Sequence, residues 1–193
     1  QYFDMTIIRL CLPLFFLSYT TLLFCQSNTL KEFDNLKFRY IGVDGNRTIA
    51  VTGESGNPMV SYVGAASGGI FKTEDGGLNW KPIFDDQDVA AIGSLAIAPS
   101  NQNQIWCGTG ESFVIRPAHQ YGNGIYKSSD AGKSWKHMGL DNSARIGRIV
   151  VHPLDTNIVY AAVLGNTHAP QKDKGVYKTT DGDKTWNQVF FVN

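Results

Sequence analysis

A recurring acidic motif is the first place in this sequence where chemistry could be carried out. An aspartate lies two residues after a serine or threonine and five residues before a tryptophan. The three copies contain Thr73, Asp75, Gly77 and Trp80; Ser128, Asp130, Gly132 and Trp135; and Thr179, Asp181 and Trp186. A catalytic carboxylate is one interpretation. The alternative is structural, because hydroxyl and carboxylate oxygens at this spacing can cap a tight turn. A catalytic residue has no reason to appear three times at regular intervals, so we expect a structural role.

Each part of the motif has an expected task in such a turn. Glycine tolerates the positive φ that closes the turn. The tryptophan is expected to bury its ring on the last strand and to satisfy its N–H locally. In the third copy Asp183 stands where the glycine is expected, and the adjacent Gly182 is expected to supply the conformation. Replacing Asp75 or Trp135 should therefore lower stability.

A second group of polar residues lies in segments predicted to be loops. It combines carboxylates with arginine, histidine and tyrosine, which suit binding of a sugar or peptide, or acid and base catalysis. The candidates are Asp85, Asp86, Asp88, Glu111, Arg116, His119, Tyr121, Arg145, Arg148 and His168. For any one of them the alternative is an ordinary solvated loop. Neither zinc spacing nor an EF-hand pattern is found, so no metal or cofactor is predicted, and no catalytic residue is assigned.

Repeated strand patterns surround each acidic motif. Trp80, Trp135 and Trp186 are 55 and 51 residues apart. Upstream of each motif lie an apolar stretch, an Asn/Asp/Pro turn, a stretch with an aromatic residue, and Gly-Ile/Val-Phe/Tyr-Lys. The first apolar anchor and the aromatic residue are 11 positions apart in every copy. Four short antiparallel strands in a repeat of this length predict an all-β protein, a β-propeller with about three four-stranded blades of an incomplete ring.

One connection varies in length among the repeats. The aromatic residue of the second strand precedes the motif aspartate by 13, 24 and 21 residues in the three copies. In an up-and-down blade, the 2–3 and 4–1 loops share one end, opposite the 3–4 turns that hold the acidic motifs. Insertions confined to one end predict that this end binds the ligand.

The motif also carries a family resemblance. Ser/Thr-x-Asp-x-Gly-x-x-Trp resembles the Asp box of bacterial neuraminidase-type (BNR) repeats. The chain from about residue 38 to 193 resembles secreted BNR-repeat proteins of the sortilin N-terminal (VPS10-like) and glycosyl-hydrolase-like class. The resemblance implies that the Asp boxes lie away from the functional face.

Two functions follow from that resemblance, and the sequence does not choose between them. One is an exported propeller module that binds a protein, peptide or glycan, as sortilin-like and photosystem-assembly propellers do. The alternative is a sialidase-like or xyloglucanase-like glycoside hydrolase whose active site is completed by further blades. Both classes of protein use the propeller fold, so the sequence does not decide whether this protein is an enzyme.

The beginning of the chain predicts export. A short basic region starts at Met5, and Leu10 to Phe24 is almost wholly apolar, which is typical of a secretory signal. Residues 1–26 are therefore predicted to be a signal peptide, with lipidation at Cys25 or an uncleaved anchor as alternatives. Residues 27–37 are a lead-in segment with a possible short helix. The mature protein is expected to be secreted, periplasmic or on the cell surface, without a membrane span.

Charge and cysteine content exclude further classes. The 193 residues include 17 Lys plus Arg and 17 Asp plus Glu, so the formal net charge is zero. A neutral chain disfavours nucleic-acid binding. Cys107 is the single cysteine after the predicted signal peptide, so no internal disulfide is expected. Its apolar neighbours predict a buried, inert thiol.

The repeats are too few to close a ring by themselves. We place them at about 46–86, 89–141 and 145–193, within a partial propeller of residues 38–193, whereas closed rings have roughly four to eight blades. We therefore expect the remaining blades to belong to a longer chain. The segment Phe38–Ile41 is predicted to supply the strand that completes the last of them. Asn46 begins a glycosylation sequon, which matters only in a eukaryotic secretory host.

Overall fold

The computed structural model describes residues 43, 47–113, 119–182 and 184–191. The predicted signal peptide, the lead-in segment, Phe38–Ile41, Asn46 and Arg116 lie outside these residues, so what was expected of them stays a prediction. No helix in the described segments is long and apolar enough to cross a membrane.

Twelve strands form three four-stranded sheets in the described residues. The first sheet contains β1 (Thr48–Gly53), β2 (Ser61–Ala65), β3 (Ile70–Thr73) and β4 (Lys81–Pro82). The second contains β5 (Ile92–Ala98), β6 (Asn101–Thr109), β7 (Ile125–Ser128) and β8 (Lys136–His137). The third contains β9 (Ile146–Val151), β10 (Val159–Val163), β11 (Gly175–Thr179) and β12 (Asn187–Phe191). A 3-10 helix, Asp141–Ser143, lies between the second and third sheets.

Within each sheet, each strand pairs antiparallel with the next strand in the sequence, so every sheet is a simple meander. The predicted all-β fold with four-stranded units is therefore confirmed. One detail differs from the prediction, because Trp80, Trp135 and Trp186 each immediately precede the fourth strand of their sheet and do not lie on it.

Successive sheets pack face to face. The first strands are neighbours, with β1 beside β5 and β5 beside β9. The core between the first and second sheets contains Ala50, Tyr62, Ile70, Phe84, Ile92, Leu95, Ile105, Cys107 and Tyr126. The core between the second and third contains Ala98, Trp106, Ile125, Met138, Ile146, Ile149, Val151, Val159, Ala161 and Val163. Burying a large apolar side chain stabilises a fold by roughly 1.5–3 kcal/mol, so these two layers hold the sheets together.

Two glycines set how closely the sheets approach. A Cβ atom on Gly64 of β2 would lie 2.4 Å from Cγ2 of Ile92 in the next sheet. The corresponding atom on Gly108 of β6 would lie 2.6 Å from Cγ2 of Ile146. A side chain at either position would push neighbouring sheets apart, since protein interiors are close-packed.

Cys107 lies inside the first of these cores. Its side chain is completely buried, and burial raises the pKa of its thiol above the ordinary range. The reactive form of cysteine is the thiolate. The thiol is therefore inert at neutral pH, as its apolar sequence context predicts.

Candidate functional site

The first acidic motif forms a closed, hydrogen-bonded turn. Thr73 Oγ1 donates to Asp75 Oδ1 at 2.8 Å and accepts the backbone N–H of Gly77 at 2.9 Å. The Asp75 carboxylate accepts the backbone N–H of Asn79 at 2.9 Å and the Asn79 side-chain amide at 2.7 Å. Gly77 has a φ of 92°, the left-handed conformation that the motif requires.

The second motif repeats this turn with different side chains. Ser128 Oγ donates to Asp130 Oδ1 at 2.8 Å and accepts the backbone N–H of Gly132 at 2.8 Å. The Asp130 carboxylate accepts the backbone N–H of Ser134 at 2.9 Å and its hydroxyl at 2.5 Å. The same bonds therefore form whether an amide or a hydroxyl follows the aspartate by four positions.

The third motif begins in the same way. Thr179 Oγ1 donates to Asp181 Oδ1 at 2.7 Å and accepts the Asp181 backbone N–H at 3.3 Å. Gly182 has a φ of 61°, like the 59° of Ala131 at the same place in the second motif. Asp183 lies outside the described residues, so its own conformation stays a prediction.

These hydrogen bonds lower the pKa of the motif carboxylates Asp75 and Asp130. The N–H of Asn79 is the main cause that lowers the pKa of Asp75 to about 2. The Ser134 hydroxyl does the same for Asp130, whose pKa is also about 2. A general acid needs a pKa near the working pH. These aspartates are therefore suited to holding a turn and unsuited to donating a proton.

The motif tryptophans bond to the preceding sheet. Trp135 Nε1 donates to the carbonyl oxygen of Ile83 at 2.7 Å, and Trp186 Nε1 donates to that of Met138 at 2.8 Å. Ile83 follows β4 and Met138 follows β8, so both acceptors lie just beyond a fourth strand. The expectation of a local partner was wrong for Trp135 and Trp186, because their acceptors lie about one repeat upstream.

Bonds in the opposite direction complete the link. The Tyr62 hydroxyl of the first sheet donates to the carbonyl oxygen of Ala131 at 3.3 Å. In the second sheet Lys127 Nζ donates to the carbonyl oxygen of Gly182 at 3.1 Å. Ala131 and Gly182 occupy the same place in their turns. The second and third motifs thus each join two neighbouring sheets as well as forming their own turn.

The opposite ends of the sheets, which we call the loop face, carry the β2–β3, β6–β7 and β10–β11 connections. There the residue before each first strand makes the same backbone bond. The carbonyls of Arg47, Ala91 and Arg145 accept the N–H groups of Ala66, Gly110 and Leu164, each at 2.8 Å. Arg47 and Arg145 therefore occupy equivalent positions in the first and third sheets.

Glu111 is the most buried acidic residue of the loop face. Its side chain is completely buried and forms an ion pair with Arg47. It also accepts the backbone N–H of Gln120 at 3.3 Å. The pair joins the loop after β6 to the start of β1, so Glu111 is part of the framework of this face.

Arg145 is buried at the loop face. It is 6% exposed, and its Nε donates to the carbonyl oxygen of Gly165 at 2.8 Å. No carboxylate of the described residues forms an ion pair with it. Burial lowers the pKa of its guanidinium, and nearby Tyr121 opposes that shift. Arginine stays charged in proteins, so a positive charge that no described carboxylate pairs with is buried at the loop face.

The backbone that leads into Arg145 is strained. Ala144 has φ 54° and ψ −46°, and the N–H of Arg145 donates to the carbonyl oxygen of Ser143 at 2.5 Å. This is the rare γ-turn with positive φ. Such conformations cost about 1–3 kcal/mol and cluster at functional sites. Gly110 packs against the turn, since a Cβ there would lie 2.2 Å from the Ala144 carbonyl oxygen.

A polar network joins two long loops beside Arg145. The Tyr121 hydroxyl donates to Asn166 Oδ1 at 2.8 Å and lies 3.2 Å from Thr167 Oγ1. Thr167 Oγ1 lies 2.8 Å from His119 Nε2, and the rings of His119 and His168 are 5.8 Å apart. The loops after β6 and β10 therefore form one surface.

The remaining candidates do not join this surface. Asp86 and Asp88 line a groove with His137 and Asp141. Asp85 lines another groove beside Gly69. No group of three His, Cys, Asp or Glu in the described part of the chain could hold a metal ion.

Arg148 lies apart as well. It is exposed on β9 and lines a groove between the first strands. Arg116 lies outside the described residues.

The site candidates chosen from the sequence did not include Arg47, Asn166 or Thr167. A signal for Arg47 was present, because Arg47, Ala91 and Arg145 each lie four residues before the first apolar anchor of their repeat. Nothing comparable marked the two loop residues, since the loops differ in length among the repeats.

Comparison with known proteins supports the fold. No protein-family model matches the sequence, and no curated protein matches it. An ancestral GH74 enzyme is similar in structure, with 23% identity and a TM-score of 0.61 over 78% of this chain and 19% of that one. The GH74 xyloglucanase from Xanthomonas campestris has 17% identity and a TM-score of 0.54, over 79% of this chain and 22% of that one.

A peptide-bound protein is similar as well. Ycf48 bound to D1 peptide has 16% identity and a TM-score of 0.52, over 79% of this chain and 44% of the Ycf48 chain. The three sheets match parts of β-propeller structures, which confirms the predicted fold. The chain spans about a fifth of the GH74 enzymes and less than half of Ycf48.

Proposed function

We propose that this protein is a binding module of the propeller class, and that its loop face takes a peptide ligand carrying an acidic group. The observation that carries the proposal is Arg145, a buried guanidinium with no carboxylate partner in the described residues. A buried charge is costly unless it is paired. An acidic group of a ligand would supply the missing pair through charge-assisted hydrogen bonds.

The surroundings of Arg145 suit recognition of a peptide. Its orientation is fixed by the bond from Nε to the Gly165 carbonyl and by the γ-turn at Ala144. Tyr121, Asn166 and Thr167 lie alongside and offer hydroxyl and amide groups that can bond to a peptide backbone. A rigid charged group flanked by polar side chains is the arrangement expected of a specific site.

Glycoside hydrolysis is the second candidate, and the likeness to GH74 enzymes favours it. A glycosidase needs two carboxyl groups on either side of the scissile bond. Glu111 is the buried carboxylate of the loop face, but it is occupied by Arg47 and by the Gln120 N–H. The aspartates of the three motifs are engaged in turns at the other end of the sheets. Binding is therefore the better-supported function.

Ycf48 bound to D1 peptide is similar in fold, which supports a peptide ligand. We propose as well that residues 1–26 direct export and that the protein lies outside the cytoplasm. It would then belong to the BNR-repeat or sortilin-like class. The remaining blades would complete the loop face around the site.

A peptide-library selection tests the function. The purified protein is panned against random peptides with free C-termini, and selected peptides are measured by fluorescence anisotropy. We expect acidic peptides to be enriched. Arg145→Gln should weaken their binding by about tenfold or more, the equivalent of one lost charged hydrogen bond. Arg148→Gln, at an exposed arginine of the same strand region, is the matched control and should leave binding unchanged.

Three results would contradict the proposal: no enrichment of acidic peptides, equal binding by Arg145→Gln at an unchanged melting temperature, or loss of binding in both variants. The same preparation is assayed for release of reducing sugar from xyloglucan. Sustained release that Arg145→Gln leaves intact would favour the hydrolase instead.

A further inference from the structure

A small pocket opens at the loop face between the second and third sheets. It has a volume of about 230 Å³ and lies beside the 3-10 helix Asp141–Ser143. Leu140 and Val163 form its apolar part, where the core between the two sheets ends. Pockets for drug-sized ligands are larger, roughly 300–1,000 Å³. This pocket therefore fits a single side chain of a ligand.

Ser143 lines the pocket and has an unpaired hydroxyl. The residue is 2% exposed, and its Oγ is buried without a hydrogen-bond partner among the described residues. Such buried polar groups are rare in folded proteins. Backbone with positive φ flanks the helix, because Leu140 has φ 59° and Ala144 has φ 54°. Strained backbone of this kind clusters at functional sites. Ser143 is thus held where a ligand can complete its bonding.

Tyr177 brings a second hydroxyl to the pocket. At the same place in the second sheet, the Tyr126 hydroxyl donates to Asn123 Oδ1 at 3.1 Å. Lys174 takes the position of Asn123 in the third sheet, so Tyr177 lacks that acceptor. Burial raises the pKa of Tyr177, and the negative charge of Asp173 raises it further. The hydroxyl therefore stays neutral and can accept a hydrogen bond.

Asp173 supplies a carboxylate without an ionic partner. It is half-buried, and it forms no ion pair with any described residue, although Lys172 and Lys174 adjoin it in the sequence. Asp141 also lines the pocket, but its side chain is 77% exposed and lies 3.8 Å from His137. Partial burial strengthens the attraction between a carboxylate and a cation, since water screens it less. The pocket is therefore suited to a positively charged group.

The arrangement matches the ammonium group at the end of a lysine side chain. An ammonium has three donors and no acceptor, and the pocket offers three acceptors on Asp173, Ser143 and Tyr177. The methylene stem of a lysine packs along apolar surface, which Leu140 and Val163 provide. A guanidinium is planar, with five donors in a rigid fork, and needs a wider set of acceptors.

We propose that this pocket binds a lysine side chain of the ligand peptide, with its ammonium bonded to Asp173, Ser143 and Tyr177. The inference rests on the peptide-binding function proposed above, and it adds a basic residue to a ligand whose acidic group pairs with Arg145. Arg145 does not line the pocket, so the two charges of the ligand have separate sites. A peptide with one of the two charges missing leaves a site of the protein unpaired, which favours ligands that carry both.

A lysine analogue tests the pocket without any peptide. Nα-acetyl-lysine-N-methylamide is titrated into the ¹⁵N-labelled full chain, and Nα-acetyl-norleucine-N-methylamide is the matched probe that keeps the stem but lacks the ammonium. We expect saturable chemical-shift changes at Leu140, Val163 and Tyr177 with the lysine probe. The norleucine probe should bind about tenfold more weakly or worse, the equivalent of one charged hydrogen bond.

Three variants assign the binding to the pocket. Asp173→Asn should weaken binding of the lysine probe by about tenfold or more. Ser143→Ala should weaken it by about threefold or more without lowering the melting temperature, because the hydroxyl has no partner in the folded protein. Asp155→Asn is the control, since Asp155 is an exposed carboxylate in the β9–β10 turn at the opposite end of the same sheet, and it should leave binding unchanged.

The peptide selection separates this inference from the proposed function. Asp173→Asn should lose the enrichment of lysine among selected peptides and keep the enrichment of acidic residues. Binding of the lysine probe without selection of acidic peptides would reject the peptide function and uphold the ammonium site. Equal binding of the two probes, no saturable binding of the lysine probe, or binding unaffected by Asp173→Asn would each overturn the proposal.

Discussion

Trp135 donates its indole N–H to the carbonyl oxygen of Ile83 across 2.7 Å, although 52 residues separate them in the sequence. The bond runs from the turn of the second sheet to the end of β4 in the first. Trp186 and Met138 repeat it at 2.8 Å between the second and third sheets. The motif that suggests catalysis in the sequence thus acts between sheets, and this relationship directs the search for function to the opposite end.

Removing the Trp135 N–H tests this link. Trp135→Phe keeps an aromatic ring but leaves the Ile83 carbonyl without its donor. We expect a loss of about 1–3 kcal/mol in the free energy of unfolding, the cost of an unsatisfied buried group with some lost packing. Denaturant unfolding followed by circular dichroism measures it. Leu78→Ala, at a site 61% exposed in the neighbouring motif, is the control and should change stability by less than about 0.5 kcal/mol.

The hydrogen bond from the first sheet to the second, between Tyr62 and Ala131, gives a second test with its own control. Tyr62→Phe removes the hydroxyl that donates to Ala131 at 3.3 Å. We expect a loss of about 0.5–1.5 kcal/mol, as for a single neutral hydrogen bond. Tyr160 holds the same place in the third sheet, is 37% exposed, and makes no hydroxyl bond with the described residues. Tyr160→Phe should therefore be close to neutral, and equal effects of the two substitutions would contradict the assignment.

Acid should weaken the turns in a defined range of pH. The pKa of Asp75 and that of Asp130 are both about 2 in the folded protein, against roughly 3.9 in an unfolded chain. A carboxyl group whose pKa is lower in the folded state stabilises that state at pH values above its pKa in the unfolded chain. The contribution is lost as the pH falls toward the pKa of the folded state. We expect the melting temperature to fall between about pH 4 and pH 2. In Asp75→Asn/Asp130→Asn this part of the pH dependence should be shallower, and an unchanged slope would refute the role of these carboxylates.

Much of the Asp box could be predicted from the sequence because its bonds are local. Thr73, Asp75 and Gly77 meet within one turn, so residue type and spacing are enough to specify them. The acceptor of the Trp135 N–H could not be predicted in this way. It is a backbone carbonyl on another sheet, and any residue type offers one.

The loop face shows the same division between local and distant contacts. The variable loop lengths correctly identified which connection differs among repeats, but not which side chains are buried there. The burial of Arg145 and the pairing of Glu111 with Arg47 arise where the ends of different sheets meet. Glu111 and Arg47 are 64 residues apart in the chain, so no local pattern links them.

The Arg47–Glu111 pair makes a prediction about stability at this face. Glu111→Gln removes the buried carboxylate charge from the ion pair with Arg47, whose side chain is 32% exposed. We expect a loss of about 1.5–3 kcal/mol, the range of hydrogen bonds to charged groups. The control is Glu74→Gln, since Glu74 pairs with Lys72 at 2.8 Å but its side chain is 56% exposed. Exposed pairs contribute roughly 0–1 kcal/mol. If both variants melted alike, the buried pair would have no special structural role.

Exchange of the Trp135 and Trp186 indole protons is the most direct test of the central claim that the Asp boxes fasten neighbouring sheets. If their N–H groups are hydrogen-bonded to the carbonyls of Ile83 and Met138, these protons should exchange only when the sheets separate. The free energy of opening calculated from their exchange rates should then equal that of the slowest-exchanging core amides. Exchange of both indole protons within minutes, while the amides of β6 and β10 stay protected, would show that the bonds between sheets do not hold and would contradict the account.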